Sequence, residues 1–99
     1  MTIKILIADD DEAVLGTLAE FFASDGRFDV VPTAADATSA AALAAVHHPD
    51  VALIDVRMPG GGGEEAARAI KACSPATRIV ALSAHDDRQT VLGMLENGA

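Results

Sequence analysis

The sequence lacks most of the features that mark disulfide-bonded, metal–sulfur or membrane proteins. Only one of its 99 residues is cysteine, Cys73, and none is tryptophan or tyrosine. A single thiol cannot form an internal disulfide, and Cys73 has no partners at the spacing of a zinc site. The first apolar stretch is only about five residues long, too short for a signal-peptide core or a membrane span. We therefore expect a protein of a reducing, cytoplasmic compartment with no membrane contact.

Positive charge is also scarce. Seven Lys and Arg residues stand against fifteen Asp and Glu residues, which gives a formal net charge of −8. Domains that bind nucleic acid or anionic membrane surfaces present basic patches that neutralise phosphate groups. This charge balance therefore excludes a nucleic-acid contact or a membrane-surface role for this domain.

Apolar residues are abundant, at 51% of the chain, and they occur in two kinds of segment. Short, nearly continuous apolar runs at 3–8, 28–31, 51–54 and 79–82 predict strands, because parallel strands are covered on both faces. Segments with helical spacing lie between them, at 12–23, 37–46 and 64–72, and a last one begins at about residue 87. This alternation predicts one α/β domain, a parallel sheet with helices on both faces.

Polar side chains follow three of the predicted strands. Asp9, Asp10 and Asp11 follow the first strand, Asp55 the third and Ser83 the fourth. Ligands of open α/β sheets bind outside the carboxyl ends of strands, so these side chains share one crevice if the three strands are neighbours. Crowded carboxylates repel one another, and a hard cation such as Mg2+, which prefers oxygen ligands, relieves that repulsion. A carboxylate in such a site can also act as the nucleophile in phosphoryl transfer.

Each of these features has a simpler interpretation when it is taken alone. The three consecutive acids can form a solvated turn with a helix N-cap, and Asp55 and Ser83 can each belong to an ordinary loop. The four glycines at 60–63 resemble a phosphate-binding loop at first sight. No Lys-Ser/Thr follows them and they do not follow the first strand, so a flexible connector is the better interpretation. Only the combination of all these positions indicates phosphoryl chemistry.

Two motifs resemble those of the receiver domain of two-component response regulators, of the chemotaxis-receiver type. Ile-Leu-Ile-Ala-Asp-Asp-Asp-Glu at 5–12 resembles the opening of that family, and Leu-Ile-Asp-Val-Arg-Met-Pro-Gly at 53–60 resembles its phosphorylation motif. Ser83-Ala84 and the Asn-Gly-Ala at 97–99 match the family as well. The resemblance spans the whole chain and implies a doubly wound, flavodoxin-like sheet in the strand order 2-1-3-4.

The resemblance also implies a role for each matching residue. Asp55 would accept a phosphoryl group from a phosphohistidine of a sensor histidine kinase. Ser83, followed by Ala84, would contact the phosphoryl group and move toward it as the switch. The Mg2+ ligands that it implies are Asp9, Asp10, Asp55 and the backbone carbonyl of Arg57. Such a domain is a signalling switch rather than an enzyme, and it acts on a partner or on an attached output domain, for which a DNA-binding domain is one candidate.

The sequence departs from the family pattern in three places. Glu64 stands where the family usually has an apolar residue, and the glycine run before it is long. The family also continues into a fifth strand, which carries a lysine, and a fifth helix, and the sequence contains neither. We therefore expect residues 1–99 to be a receiver domain truncated at its C-terminus, with a fourth-strand edge that can pair with a second copy of the chain.

Two other functions stay open at this point. The main alternative is a phosphorylation-inert receiver that serves only as an interaction domain, since the lysine is missing. The other is a Mg2+-dependent phosphohydrolase of the haloacid dehalogenase type, which uses an Asp-x-Asp pattern on its first strand. Asp9 and Asp11 have that spacing, but the Gly-Thr of that family does not follow them.

Overall fold

Strands and helices alternate along the chain in the computed structural model, which describes residues 2–55 and 62–82. The strands are β1 (Ile3–Ala8), β2 (Phe28–Val30), β3 (Val51–Asp55) and β4 (Arg78–Leu82). The helices are α1 (Glu12–Ala23), α2 (Ala37–His47) and α3 (Gly62–Cys73). Neighbouring strands are parallel and their order is β2-β1-β3-β4. The predicted sheet order is therefore confirmed.

The sheet has an apolar core on each face, because successive side chains of a strand point to opposite faces. The core between the sheet and helices α2 and α3 contains the strand residues Leu6, Ala8, Ala52 and Ile54. The core between the sheet and α1 contains the strand residues Ile5, Ile7 and Leu53. Since both faces are covered, the strands need apolar residues at nearly every position. This accounts for the continuous runs in the sequence.

Helix α1 has the bounds that its sequence predicts. Its N-cap is Asp11, whose side chain accepts hydrogen bonds from the N–H groups of Ala13 and Val14. The buried residues of the helix recur at helical spacing and are Leu15, Leu18 and Phe22. Full burial of one such side chain contributes about 2 kcal/mol. The N-cap and the buried face of α1 therefore both support a helix that begins at Glu12.

Helices α2 and α3 are both longer than predicted. Helix α2 continues to His47 and ends where His48 takes the left-handed conformation, with φ of 46°, ahead of Pro49. Helix α3 begins at Gly62, whose φ of 77° glycine adopts without strain. Glu64 is exposed in the first turn of α3, where an acid complements the helix dipole. The second half of the glycine run thus begins a helix and is not only the connector that we predicted.

Within residues 2–55 and 62–82, no helix combines the length and apolar character that crossing a bilayer requires. Strand β4 pairs with β3 along one of its edges. The last predicted helix, from about residue 87, lies outside the described residues.

Candidate functional site

The carboxyl ends of β1 and β3 lie side by side because these strands pair in parallel. Ala8 is the partner of Ile54, and the next residues along the two strands are Asp9 and Asp55. Asp9 is 1% exposed and Asp55 is 4% exposed, whereas Asp10 is exposed. One carboxylate oxygen from each of these three acids lies within 4.8 Å of the other two. The structure thus brings together three acids that the sequence predicted to share a crevice.

The turn that carries Asp9 is held by hydrogen bonds to the side chain and to the backbone of Asp9. The N–H of Asp11 donates to Oδ1 of Asp9 at 2.9 Å. The N–H of Asp9 donates to the carbonyl of Ala34 at 3.0 Å, and the N–H of Ala34 donates to the carbonyl of Ile7 at 3.0 Å. Ala34 is a residue that sequence reasoning missed, since its contribution is made by the backbone and leaves no signal in residue type.

The three consecutive acids have two different structural roles. Asp9 and Asp10 belong to the carboxylate cluster, whereas the side chain of Asp11 caps α1. The helix-cap interpretation is therefore correct for Asp11, and the predicted convergence with Asp55 is correct for Asp9 and Asp10. The Asp-x-Asp arrangement of a dehalogenase-type site needs the carboxylate of Asp11 beside that of Asp9, and Asp11 is not a member of the cluster.

Three carboxylates in this small volume favour a hard cation. Two like charges about 4 Å apart repel by roughly 4 kcal/mol at the effective dielectric constant of a protein surface. An oxygen-only donor set is what Mg2+ prefers, and Mg2+ usually keeps several waters beside one or two carboxylates. The donor chemistry of Asp9, Asp10 and Asp55 therefore fits Mg2+.

Three further residues that the sequence assigned to the site are Arg57, Ser83 and Ala84. They lie outside the described residues, and their assignments stay predictions. Strand β4 does reach the level of the cluster, because Leu82 is the partner of Asp55. The carboxyl end of β4 thus lies beside the carboxyl end of β3, where Asp55 is located.

Comparison with known proteins gives one family. Residues 5–99 match the response regulator receiver domain. The chain is 34% identical over 97 residues to the probable transcriptional regulatory protein NarL of Mycobacterium tuberculosis, with 98% of this chain and 45% of that protein covered. It thus spans less than half the length of this relative.

Two solved structures extend the comparison. The signal receiver domain of the putative response regulator NarL from M. tuberculosis has a TM-score of 0.78 and 34% identity, over 99% of this chain and 79% of that one. The receiver domain of the sensor histidine kinase PA1611 from Pseudomonas aeruginosa, solved with a magnesium ion coordinated in its active-site cleft, has a TM-score of 0.75 and 28% identity. That similarity covers 86% of this chain and 70% of the other.

The strand order and the position of the acids in the described residues agree with the family match, which spans residues 5–99. The resemblance read from the sequence is confirmed, and the chain belongs to the receiver domains of two-component response regulators.

Proposed function

We propose that this receiver domain accepts a phosphoryl group on Asp55 and transmits the signal to an output domain or a partner. The observation that supports the proposal is the juxtaposition of Asp9, Asp10 and Asp55 at the carboxyl edge of the sheet. Asp55 ends β3, which is paired on both sides, with β1 and with β4. Its main chain therefore has a fixed position from which the carboxylate can meet a donor.

The donor in this proposal is a phosphohistidine of a sensor histidine kinase. A carboxylate oxygen of Asp55 attacks the phosphorus atom, a P–O bond forms and the P–N bond breaks. The histidine nitrogen leaves with the electron pair of that bond and takes up a proton from solvent. A bound Mg2+ would neutralise charge on the phosphoryl oxygens, and its protein ligands would be Asp9, Asp10, Asp55 and the carbonyl of Arg57.

The remaining parts of the proposal concern residues and domains outside the described structure. Ser83, followed by Ala84, would hydrogen-bond the phosphoryl group and act as the switch. The relative NarL is named a probable transcriptional regulatory protein, so a DNA-binding output domain is the effector that we propose, with no nucleic-acid contact by the receiver itself. The cytoplasmic location and the pairing of two chains through β4 stay predictions.

The assignment of Asp55 is tested by phosphorylation with a small donor. Incubation of the 99-residue chain with acetyl phosphate and Mg2+ should add one phosphoryl mass, read by intact mass spectrometry. Asp55→Asn keeps the shape of the side chain without the nucleophile and should add none. Asp29→Asn, which changes an exposed acid of β2, is the matched control and should react like the wild type.

Equal labelling of the wild type and Asp55→Asn would show that another residue is the acceptor. Absence of labelling in the wild type would favour the phosphorylation-inert receiver instead. The two results therefore contradict different parts of the proposal.

The cation site is tested separately by titration with Mg2+ alone. Asp10→Ala removes one carboxylate oxygen of the cluster from an exposed position, and binding of Mg2+ should fall at least about tenfold. The wild type itself should bind weakly, because waters complete the coordination. Asp29→Ala is the control, and Asp10→Ala binding Mg2+ as well as the wild type would exclude Asp10 as a ligand.

A further inference from the structure

We infer that Asp11 is a positioning residue for the cation site, acting through Asp9 and not as a ligand. The inference rests on the proposed function, since it concerns the same site. The carboxylate of Asp11 is not a member of the converging cluster. It accepts hydrogen bonds from the N–H of Ala13 at 2.9 Å and from the N–H of Val14 at 3.3 Å. It is thereby committed to the first turn of α1.

The backbone of the same residue holds Asp9. The N–H of Asp11 donates to Oδ1 of Asp9 at 2.9 Å, which fixes the rotation of that carboxylate. Asp9 is 1% exposed, so its side chain has little space for another orientation. One residue therefore links the start of α1, through its side chain, to the orientation of a site carboxylate, through its N–H.

Loss of the cap should therefore loosen the site. Without an acceptor at the N-cap, the first turn of α1 frays and the turn from Asp9 to Asp11 gains conformational freedom. Residues that orient metal ligands typically change metal affinity by about 10- to 100-fold when they are mutated. We expect an effect in this range, although no atom of the Asp11 side chain is assigned to the cation.

Two substitutions of Asp11 separate positioning from charge. Asp11→Asn and Asp11→Ala both remove the negative charge, but asparagine caps a helix about as well as aspartate and alanine does not. The difference between the two variants thus isolates the cap. Asp11→Ser keeps a capping oxygen on a shorter side chain and should also retain the site.

Helix α2 provides a matched control. Asp36 is its N-cap and accepts a hydrogen bond from the N–H of Ser39 at 2.7 Å. Asp36 is not a member of the carboxylate cluster. Asp36→Ala thus removes the same kind of cap from the other side of the sheet. Both Ala variants should lower the melting temperature by about 4–8 °C, the shift expected for loss of a cap in a domain of this size.

The deciding measurement is Mg2+ affinity, read by titration and by the Mg2+-induced rise in melting temperature. Asp11→Ala should bind Mg2+ about tenfold more weakly or worse, whereas Asp11→Asn, Asp11→Ser and Asp36→Ala should stay close to the wild type. Unchanged affinity in Asp11→Ala, or equal losses in Asp11→Asn and Asp11→Ala, would overturn the inference. A wild type that binds no Mg2+ would instead contradict the proposed function and the inference with it.

Discussion

The carboxyl and amino ends of the sheet differ in the kind of polar group that they contain. At the carboxyl end, three acids crowd together, two of them buried. At the amino end of β3 and β4, neutral hydroxyls form a closed network. The hydroxyl of Thr77, which is 0% exposed, donates to the carbonyl of Pro49 at 2.6 Å and lies 2.6 Å from the Ser74 hydroxyl.

Two charged side chains make further hydrogen bonds at the amino end of the sheet. The ammonium of Lys71, in the last turn of α3, donates to the backbone carbonyl of Thr77, the residue before β4. The Asp50 carboxylate accepts the N–H of Lys4 at 2.8 Å. The polar contacts here pair donors with acceptors, and the carboxyl end differs because it brings three negatively charged groups close together. We therefore expect the hydroxyl network to contribute mainly to stability and the acids to contribute mainly to binding.

The contrast between the two ends of the sheet predicts the largest change in the free energy of unfolding for Thr77→Val. Valine has nearly the shape of threonine but lacks the hydroxyl, so the variant removes the partner of two buried groups, the Ser74 hydroxyl and the Pro49 carbonyl. We expect the free energy of unfolding to fall by about 2–4 kcal/mol, measured by urea denaturation. Mg2+ affinity should not change. Thr33→Val, at an exposed threonine, is the control and should have little effect.

A Thr77→Val variant as stable as the wild type would show that this network adds nothing to the fold. A variant that loses Mg2+ affinity while it remains folded would show that the two ends are coupled, against the comparison.

An intermediate effect of the opposite sign is expected at the carboxyl end. Asp9→Asn keeps the oxygen that accepts the N–H of Asp11 and removes one of three crowded charges. In Mg2+-free buffer, the free energy of unfolding should rise by about 1–2 kcal/mol. Added Mg2+ should stabilise the wild type and leave the variant nearly unchanged. Thermal melts with and without Mg2+ measure both effects.

Asp29→Asn serves here as the control for removal of an exposed acid and should change stability little. Lower stability of Asp9→Asn than of the wild type without Mg2+ would mean that the crowded charges do not destabilise the fold.

The smallest expected effect lies at the amino end, before β2. The Arg27 guanidinium, hydrogen-bonded to the Asp25 carboxylate with a shortest distance of 2.6 Å, lowers the pKa of Asp25 to about 2. Since an unfolded Asp titrates near 3.9, this pair stabilises the fold fully above about pH 4, and its contribution is lost as the pH falls toward about 2. As the pH falls from about 4 to about 2, the free energy of unfolding of Asp25→Asn should therefore decrease less than that of the wild type.

The measurement is urea denaturation at several pH values in Mg2+-free buffer. The difference should be small, because exposed ion pairs contribute little. The free energy of unfolding of Asp29→Asn should depend on pH as that of the wild type does. The same dependence in Asp25→Asn would show that the Asp25–Arg27 ion pair does not contribute to it.

The sequence by itself determined the local elements and the identity of the site acids. Apolar runs located the strands, and the helical spacing of apolar residues located α1, α2 and α3. These features could be predicted because burial patterns depend on residues a few positions apart. The motif around Asp55 could be read for the same reason, as its residues are consecutive.

How these elements meet is decided by the tertiary structure, and the sequence indicated the strand order only through the family resemblance. That Asp9 and Asp55 are neighbours follows from the pairing of β1 with β3, a contact between segments more than forty positions apart that no local pattern encodes. The division of the acid run, with Asp9 facing the cluster and Asp11 capping α1, depends on where α1 packs against the sheet. The start of α3 at Gly62 likewise requires a left-handed backbone conformation that glycine permits but does not enforce.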